Sequence, residues 1–379
     1  MSRFYELVTE HVRNLGAYTP GKPIRQAEQE SGVPCIKLAS NENPFGPSPQ
    51  AVKAMQAVLA ESNFYPDNDA NDLRVKLAER HQVKPEQIVL TAGSTSLLGV
   101  ICRTLLAPGL EAVTSAGSFI VYPIATKAAG GRLIEVPMRE YGFDLDAVLA
   151  AINPRTRLIF LANPNNPTGS LIEAGELDRF LERVPENVIV VVDEAYCDFA
   201  EHFANLRGVE YSHAFDYVHK GRNVVVLRTF SKAHGLAGLR VGYGVGPAEL
   251  MAYFARLRTT FAVSILAQAA AMAALDDEAH ILTTVRNNAE QAGVLIRGLA
   301  DTGFSPLPTW ANFIYCDVGE DAHAVAKRLQ ERGIIIRSLA PWGLPQAIRI
   351  TIGKPEHNQA FLKAFGQGVQ AMQRPVASL

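Results

Sequence analysis

A chain of 379 residues is longer than one hydrophobic core usually serves, so about two domains are expected. With 48% hydrophobic and 20% charged residues, it reads as globular rather than disordered or fibrous. A formal net charge of −2 with both signs interspersed gives nucleic acid or an anionic membrane nothing to hold, which leaves small-molecule chemistry.

Cys35, Cys102, Cys197 and Cys316 lie far apart with no C-x-x-C pair, and read as reduced core residues. Met1 to Gly16 mixes Arg3, Glu6, Glu10 and Arg13 with apolar residues and lacks the apolar stretch of a signal peptide. No apolar run approaches the roughly 18 residues of a membrane helix. The expected location is the cytoplasm.

The segment up to Asn43 is rich in turn formers (Gly16, Pro20, Gly21, Pro23, Gly32, Pro34) and reads as an extended arm ending in Asn43-Pro44-Phe45-Gly46-Pro47. Apolar strands and helical segments then alternate. Ile88–Leu90 precedes helix Leu97–Leu106, Ala112–Thr114 precedes Ile120–Ala129, and Leu133–Pro137 precedes Leu145–Ile152. Arg157–Ala162, helix Leu177–Val184 and strand Val188–Val192 continue the series, the pattern of a mostly parallel sheet covered on both faces. Asn223–Leu227 and Leu239–Val245 are too close for a crossover helix, so that pair is expected to be antiparallel.

From Ala248 to Leu299 the pattern is helical, and the Ala-rich Ala267–Leu275 suits a long connecting helix. The tail reads as strand Asn312–Val318, helix Ala322–Glu331 stopped by Gly333, strands Ile334–Leu339 and Ala347–Ile352, and a final helix. The expected division is an arm over 1–45 that also joins the small domain, a large domain over 46–265 and a smaller C-terminal α/β domain over 266–379.

Three segments at strand ends carry chemistry. Asn163-Pro164-Asn165-Asn166-Pro167-Thr168-Gly169 follows Arg157–Ala162, at the carboxyl end of a strand, where open α/β sheets bind ligands; alone it could be an ordinary turn. Val188–Val192 runs into Asp193-Glu194-Ala195-Tyr196, and a buried Asp193 needs a cationic or hydrogen-bonded partner. Arg228-Thr229-Phe230-Ser231-Lys232-Ala233 is followed by Gly235-Leu236-Ala237-Gly238-Leu239-Arg240. Lysine forms Schiff bases with aldehydes, and Thr229, Ser231 and Arg240 are donors that a phosphate recruits. Gly93-Ser94-Thr95, between a strand and a helix, adds free N–H groups for an anion, though a plain helix cap has the same form.

In this order, the asparagine loop, the D-E-A-Y strand end and S-K-A-x-G-L-A-G-L-R resemble the fold-type I aminotransferases, enzymes dependent on pyridoxal 5′-phosphate (PLP). Leu15 to Ile24, Lys37 to Pro44 and Tyr65-Pro66-Asp67 are similar to the histidinol-phosphate aminotransferase subfamily. The resemblance implies the fold-type I PLP-dependent transferase fold, with a large domain built on a mostly parallel mixed sheet and a smaller C-terminal α/β domain. It implies Lys232 as the Schiff-base lysine and proton carrier, and Asp193 as the partner of the pyridinium nitrogen, which keeps the ring able to accept electrons. Asn166 and Tyr196 are implied at the ring's 3-oxygen and Phe119 against the ring face. The cofactor phosphate falls to Gly93, Ser94, Thr95, Thr229, Ser231 and Arg240, with Tyr65 reaching it from the neighbouring subunit of a homodimer.

Arg337 and Arg349 interrupt apolar strands, where a buried guanidinium requires an anionic partner. With Tyr18 and Asn41 they are expected to bind the substrate, histidinol phosphate or glutamate and 2-oxoglutarate, or else to form structural salt bridges. The chain departs from the family pattern at Thr95-Ser96, where an acidic pair is usual, at Ala17 in place of a proline, and at Phe119, which lacks the common tyrosine hydroxyl. Gly242-Tyr243-Gly244-Val245-Gly246-Pro247 lacks the final glycine of a dinucleotide fingerprint, and the nine histidines show no metal-ligand spacing. His234 reads as packing beside the lysine motif. Rival readings are a transaminase of aromatic or other amino acids, a phospho-amino-acid decarboxylase on the same scaffold, and a PLP-binding regulator without turnover.

Overall fold

The computed structural model describes residues 3–16 and 20–372. Its strands, in chain order, are β1 (Ile36–Lys37), β2 (Ile88–Thr91), β3 (Glu111–Ser115), β4 (Arg132–Val136), β5 (Thr156–Ala162) and β6 (Ile189–Asp193). They continue as β7 (Val224–Thr229), β8 (Gly242–Val245), β9 (Phe313–Asp317), β10 (Ile334–Ile335), β11 (Arg337–Ser338) and β12 (Ala347–Thr351).

Seven strands form one sheet in the order β2-β8-β7-β6-β5-β3-β4. The pairs among β3 to β7 are parallel, and β8 runs antiparallel to both neighbours. This is the mixed, mostly parallel sheet expected, with β7 and β8 antiparallel as their short connection required. Val190, Val191 and Val192 are all buried, and successive strand residues point to opposite faces, so both faces of the sheet are covered.

Four expectations need correction. The strand expected from Leu239 begins only at Gly242, because Ala237–Leu239 is a 3₁₀ turn and Arg240 is left-handed at φ 54°. The strand expected over Ile334–Leu339 is two, since β10 pairs with β1 while β11 turns to pair with β12. The long helix is Glu278–Ala300, 23 residues, rather than the alanine-rich segment. That segment forms the ten-residue helix Ile265–Ala274, whose small residues let it pack closely on helix Pro49–Val58. The arm is not uniformly extended: Ile24–Ser31 is helical and ends at Gly32, whose φ of 71° suits a helix C-terminus.

Two large cores result. One surrounds the seven-stranded sheet and includes Leu97, Phe160, Val191 and Val225, together with Ala267, Ala270 and Ala271. The other joins Leu295, Ile314, Ile348, Ile350 and Phe361 around the antiparallel sheet β11-β12-β9, with Leu38 contributed by the N-terminal segment. Among the described residues no helix is long and apolar enough to cross a membrane.

Candidate active site

Because β5, β6 and β7 are parallel neighbours, the segments that follow Ala162, Asp193 and Thr229 emerge along one edge of the sheet. A cavity of about 190 Å³ lies there. Ser94, Thr95, Phe119, Asn166, Asp193 and Tyr196 line it, as do Thr229, Ser231, Lys232 and Arg240. Asn41, Arg337 and Arg349 complete the wall from the arm and the antiparallel sheet.

The asparagine loop holds its shape by satisfying its own polar groups. Asn163 exchanges two hydrogen bonds of 2.9 Å with the backbone of Ile172, and Asn165 Nδ2 donates to Thr168 Oγ1 at 2.9 Å. Gly169 has φ 78° and lies so close to Thr309 that a Cβ would meet its Oγ1 at 2.7 Å. Asn166 is left to face the cavity, where its Nδ2 donates to Tyr196 Oη at 3.1 Å. Tyr196 Oη also accepts from Asn41 Nδ2 at 2.8 Å.

Lys232 is enclosed. Burial, then the Arg349 guanidinium, holds its amine down at about 7, so a large share is neutral and nucleophilic near neutral pH. Its Nζ lies 5.4 Å from the centre of the Tyr196 ring and donates to the Ser40 carbonyl at 3.4 Å. Asp193 is driven the other way: burial pushes its carboxyl up to about 6, against hydrogen bonds from Tyr122 Oη at 3.1 Å and the Ala195 N–H at 3.3 Å. Its neighbour Glu194 turns aside to Arg228, which donates to Oε2 from Nη2 at 2.8 Å and Nε at 3.0 Å.

At another part of the cavity the donors of an anion cradle meet. Helix Ser94–Leu105 presents its N-terminus there, capped by Gly93. Thr229 Oγ1 donates to Ser231 Oγ at 3.0 Å, and Arg240 Nη1 donates to Ser231 Oγ at 3.3 Å and to the Ala237 carbonyl at 2.9 Å. Gly93, at φ 84°, is held open for Arg240: a Cβ there would lie 2.5 Å from Nη2. Gly242 lets β8 pass Ser94, whose N would lie 2.5 Å from a Cβ. The superficial dinucleotide pattern is therefore a strand packed against this helix start.

Arg349 donates from Nη1 to Asn166 Oδ1 and from Nη2 to the Ala39 carbonyl at 3.0 Å. Asn41, at φ 56°, ties this region together: its N–H donates to Thr351 Oγ1 at 2.9 Å, and its carbonyl accepts from Asn312 Nδ2 at 3.0 Å.

One of the residues singled out in the sequence is not brought together with the rest. Tyr65 is 82% exposed, stacked on Phe261 with centroids 4.6 Å apart, and does not line this chain's cavity. Tyr18 lies outside the described residues. His234 packs edge-on against Phe230, 4.9 Å between centroids, as its reading required. Sequence reasoning missed Tyr122, Ser40 and Trp342. Tyr122 follows Phe119 by one helical turn, and that spacing was the available signal.

The residues present fit PLP. The cavity offers a neutralisable lysine for an aldehyde, a cradle of N–H, hydroxyl and guanidinium donors for a phosphate, and a buried carboxylate held by neutral donors that suits a ring N–H.

Comparison with known proteins agrees. Residues 33–365 match the sequence profile of the family described as aminotransferase class I and II. A Pseudomonas aeruginosa protein named histidinol-phosphate aminotransferase 2 is 45% identical over 370 residues, 97% of this chain and 99% of that one. The histidinol-phosphate aminotransferase of Moorella thermoacetica is 43% identical over 360 residues, 94% of this chain and 91% of that one. The crystal structure of histidinol-phosphate aminotransferase from Sinorhizobium meliloti in complex with pyridoxal-5′-phosphate superposes with a TM-score of 0.87 at 31% identity, covering 98% of this chain and 99% of that one.

Proposed function

We propose, from the premise that this chain belongs to the aminotransferase class I and II family and to its histidinol-phosphate aminotransferases, that it transfers the amino group of L-histidinol phosphate to 2-oxoglutarate. The products are imidazole acetol phosphate and L-glutamate, and the same reaction run backwards serves histidine biosynthesis. The observation that carries the reading is that one cavity holds two separate sets of anion donors around Lys232. One is the cradle of Ser94, Thr95, Thr229, Ser231 and Arg240; the other is the pair Arg337 and Arg349.

Pyridoxal 5′-phosphate, the cofactor of this family, supplies when bound an aldehyde for the amine and a ring that accepts the electron pair released as the substrate's Cα–H bond breaks. The cradle and Gly93 would hold the phosphate. Asp193, kept in place by Tyr122, would hold a proton at the ring nitrogen, and Phe119 would cover the ring face. Asn166 and Tyr196 would donate to the ring's 3-oxygen. Lys232 Nζ would hold the aldehyde group, and as a free amine it is placed to take the proton from the substrate's Cα. Arg337, Arg349, Asn41 and Tyr18 bind the substrate. The exposed Tyr65 completes the phosphate site of a neighbouring subunit, which makes the active unit a homodimer. The enzyme works in the cytoplasm, with a large domain over 46–265 and a smaller one over 266–379 that the arm, 1–45, joins.

The test is a spectroscopic half-reaction. Holoenzyme is mixed separately with L-histidinol phosphate, glutamate, phenylalanine and threonine phosphate, and conversion of the cofactor to its amine form is followed. Fast conversion by histidinol phosphate and glutamate is expected. Conversion by phenylalanine but not histidinol phosphate refutes the substrate, and carbon dioxide release from threonine phosphate without the amine form points to a decarboxylase.

A further inference from the structure

Arg337, Arg349 and Tyr315 run directly across the antiparallel sheet, one residue from each of its three strands. Directly opposed residues share a face with Cβ atoms about 5 Å apart, and like charges so placed repel. Both arginines are nearly buried, at 8% and 5% exposure, where water screens that repulsion weakly.

The side chain of Trp342 lies against both. Trp342 closes the 3₁₀ turn Ala340–Trp342 that follows β11 and lines the same cavity. The Arg337 guanidinium carbon is 5.1 Å from its ring centroid and that of Arg349 is 5.8 Å away. Phe313, two residues before Tyr315 on β9, adds a second ring 5.2 Å from Arg349.

An aromatic face attracts a guanidinium through its quadrupole while carrying no net charge. A carboxylate at this place would hold the arginines more strongly, but it would also neutralise them and compete with any anion entering the cavity. An indole offsets part of the mutual repulsion and adds no negative charge to compete with the ligand.

We propose that Trp342 is a positioning residue for substrate binding: its indole face keeps Arg337 and Arg349 side by side at the cavity wall, so that both engage one oxyanion of the substrate. The inference rests on the reading that these two arginines hold the substrate's anion. That anion is the phosphate of histidinol phosphate or a carboxylate of glutamate, which share the same chemistry.

The test compares Trp342→Phe, Trp342→Leu and Trp342→Glu holoenzymes with three amine donors: histidinol phosphate, glutamate, and histidinol, which has no anion. Trp342→Leu is expected to lower kcat/KM for the anionic donors roughly tenfold, through KM, and to leave histidinol within about twofold. Trp342→Phe keeps a ring and retains most of the wild-type value, and Trp342→Glu loses more than Trp342→Leu. Loss with histidinol phosphate alone assigns the site to phosphate, and loss with glutamate alone assigns it to carboxylate.

Equal loss with histidinol, or no loss with any donor, overturns the inference. Arg337→Gln and Arg349→Gln separate its failure from that of the reading beneath it. If they leave KM for histidinol phosphate unchanged, the arginine assignment is wrong. If they raise KM while Trp342→Leu does not, only the role of Trp342 is wrong.

Discussion

Tyr122 donates its phenolic hydrogen to Asp193, Oη to Oδ2 3.1 Å, from a fully buried position where its ring stacks on Phe160 at 4.7 Å and meets Phe119 edge-on at 5.6 Å. It thus orients the carboxylate and supports Phe119 in the cavity wall. Tyr122→Phe keeps both ring contacts and removes only the hydrogen bond. A hydrogen bond to a charged group contributes about 1.5–3 kcal/mol, so kcat/KM is expected to fall about ten- to a hundredfold. Steady-state kinetics on the cofactor-loaded variant checks this, with the cofactor content measured alongside.

The lysine sets a pH dependence. Burial and Arg349 depress the Lys232 amine to about 7, so its neutral fraction grows as pH rises through that value. The rate at which apoenzyme captures the cofactor should rise across the same range and then level. In Arg349→Gln one of the causes of the depression is gone, and the midpoint should move upward. Stopped-flow absorbance at a series of pH values reads both midpoints; an unmoved midpoint in the variant would sink the assignment of Arg349 as a cause.

Gly93→Ala adds a methyl where Arg240 Nη2 would lie 2.5 Å away, at a φ of 84° that side chains rarely adopt. Arg240 must move, and the cradle loses its guanidinium. The dissociation constant for the cofactor, measured by titrating apoenzyme, should rise at least about tenfold, as expected for the loss of a charge-assisted hydrogen bond. Lys232→Ala acts on a different step: it should abolish covalent capture and turnover while phosphate-dependent binding persists, which borohydride trapping and mass spectrometry distinguish.

Tyr65 offers a test in trans. If it serves the neighbouring subunit, mixing Tyr65→Ala with Lys232→Ala chains leaves one intact site in each mixed dimer, and activity returns. If Tyr65 serves its own chain, every site in the mixture is damaged and none returns.

Much of this site was legible in the sequence because its residues lie in short motifs at strand ends. Lys232, Asp193, Asn166, Tyr196 and Arg240 each follow a recognisable apolar strand, and a parallel sheet puts those ends on one edge. Less legible was whatever depends on partners distant in the chain. Nothing local splits Ile334–Leu339; only pairing to β1 on one side and β12 on the other does so. Tyr122 reads as an aromatic in an apolar helix until Asp193, 71 residues away, is placed beside it. Trp342 carries no local signal, and its place becomes evident only when the sheet register sets Arg337 opposite Arg349. The helix Ile24–Ser31 was hidden by the prolines and glycines that flank it.

The pairing of β1 with β10, and of Asn41 and Leu38 with Thr351, joins residues 36–41 to residues 334–351, far along the polypeptide. A nascent chain emerging from the ribosome therefore carries Asn41 without its Asn312 and Thr351 partners through most of synthesis, while the seven-stranded sheet can already assemble behind it. Catalytic competence waits on β10 to β12, so a message truncated before codon 334 should yield a protein that folds in part and never transaminates.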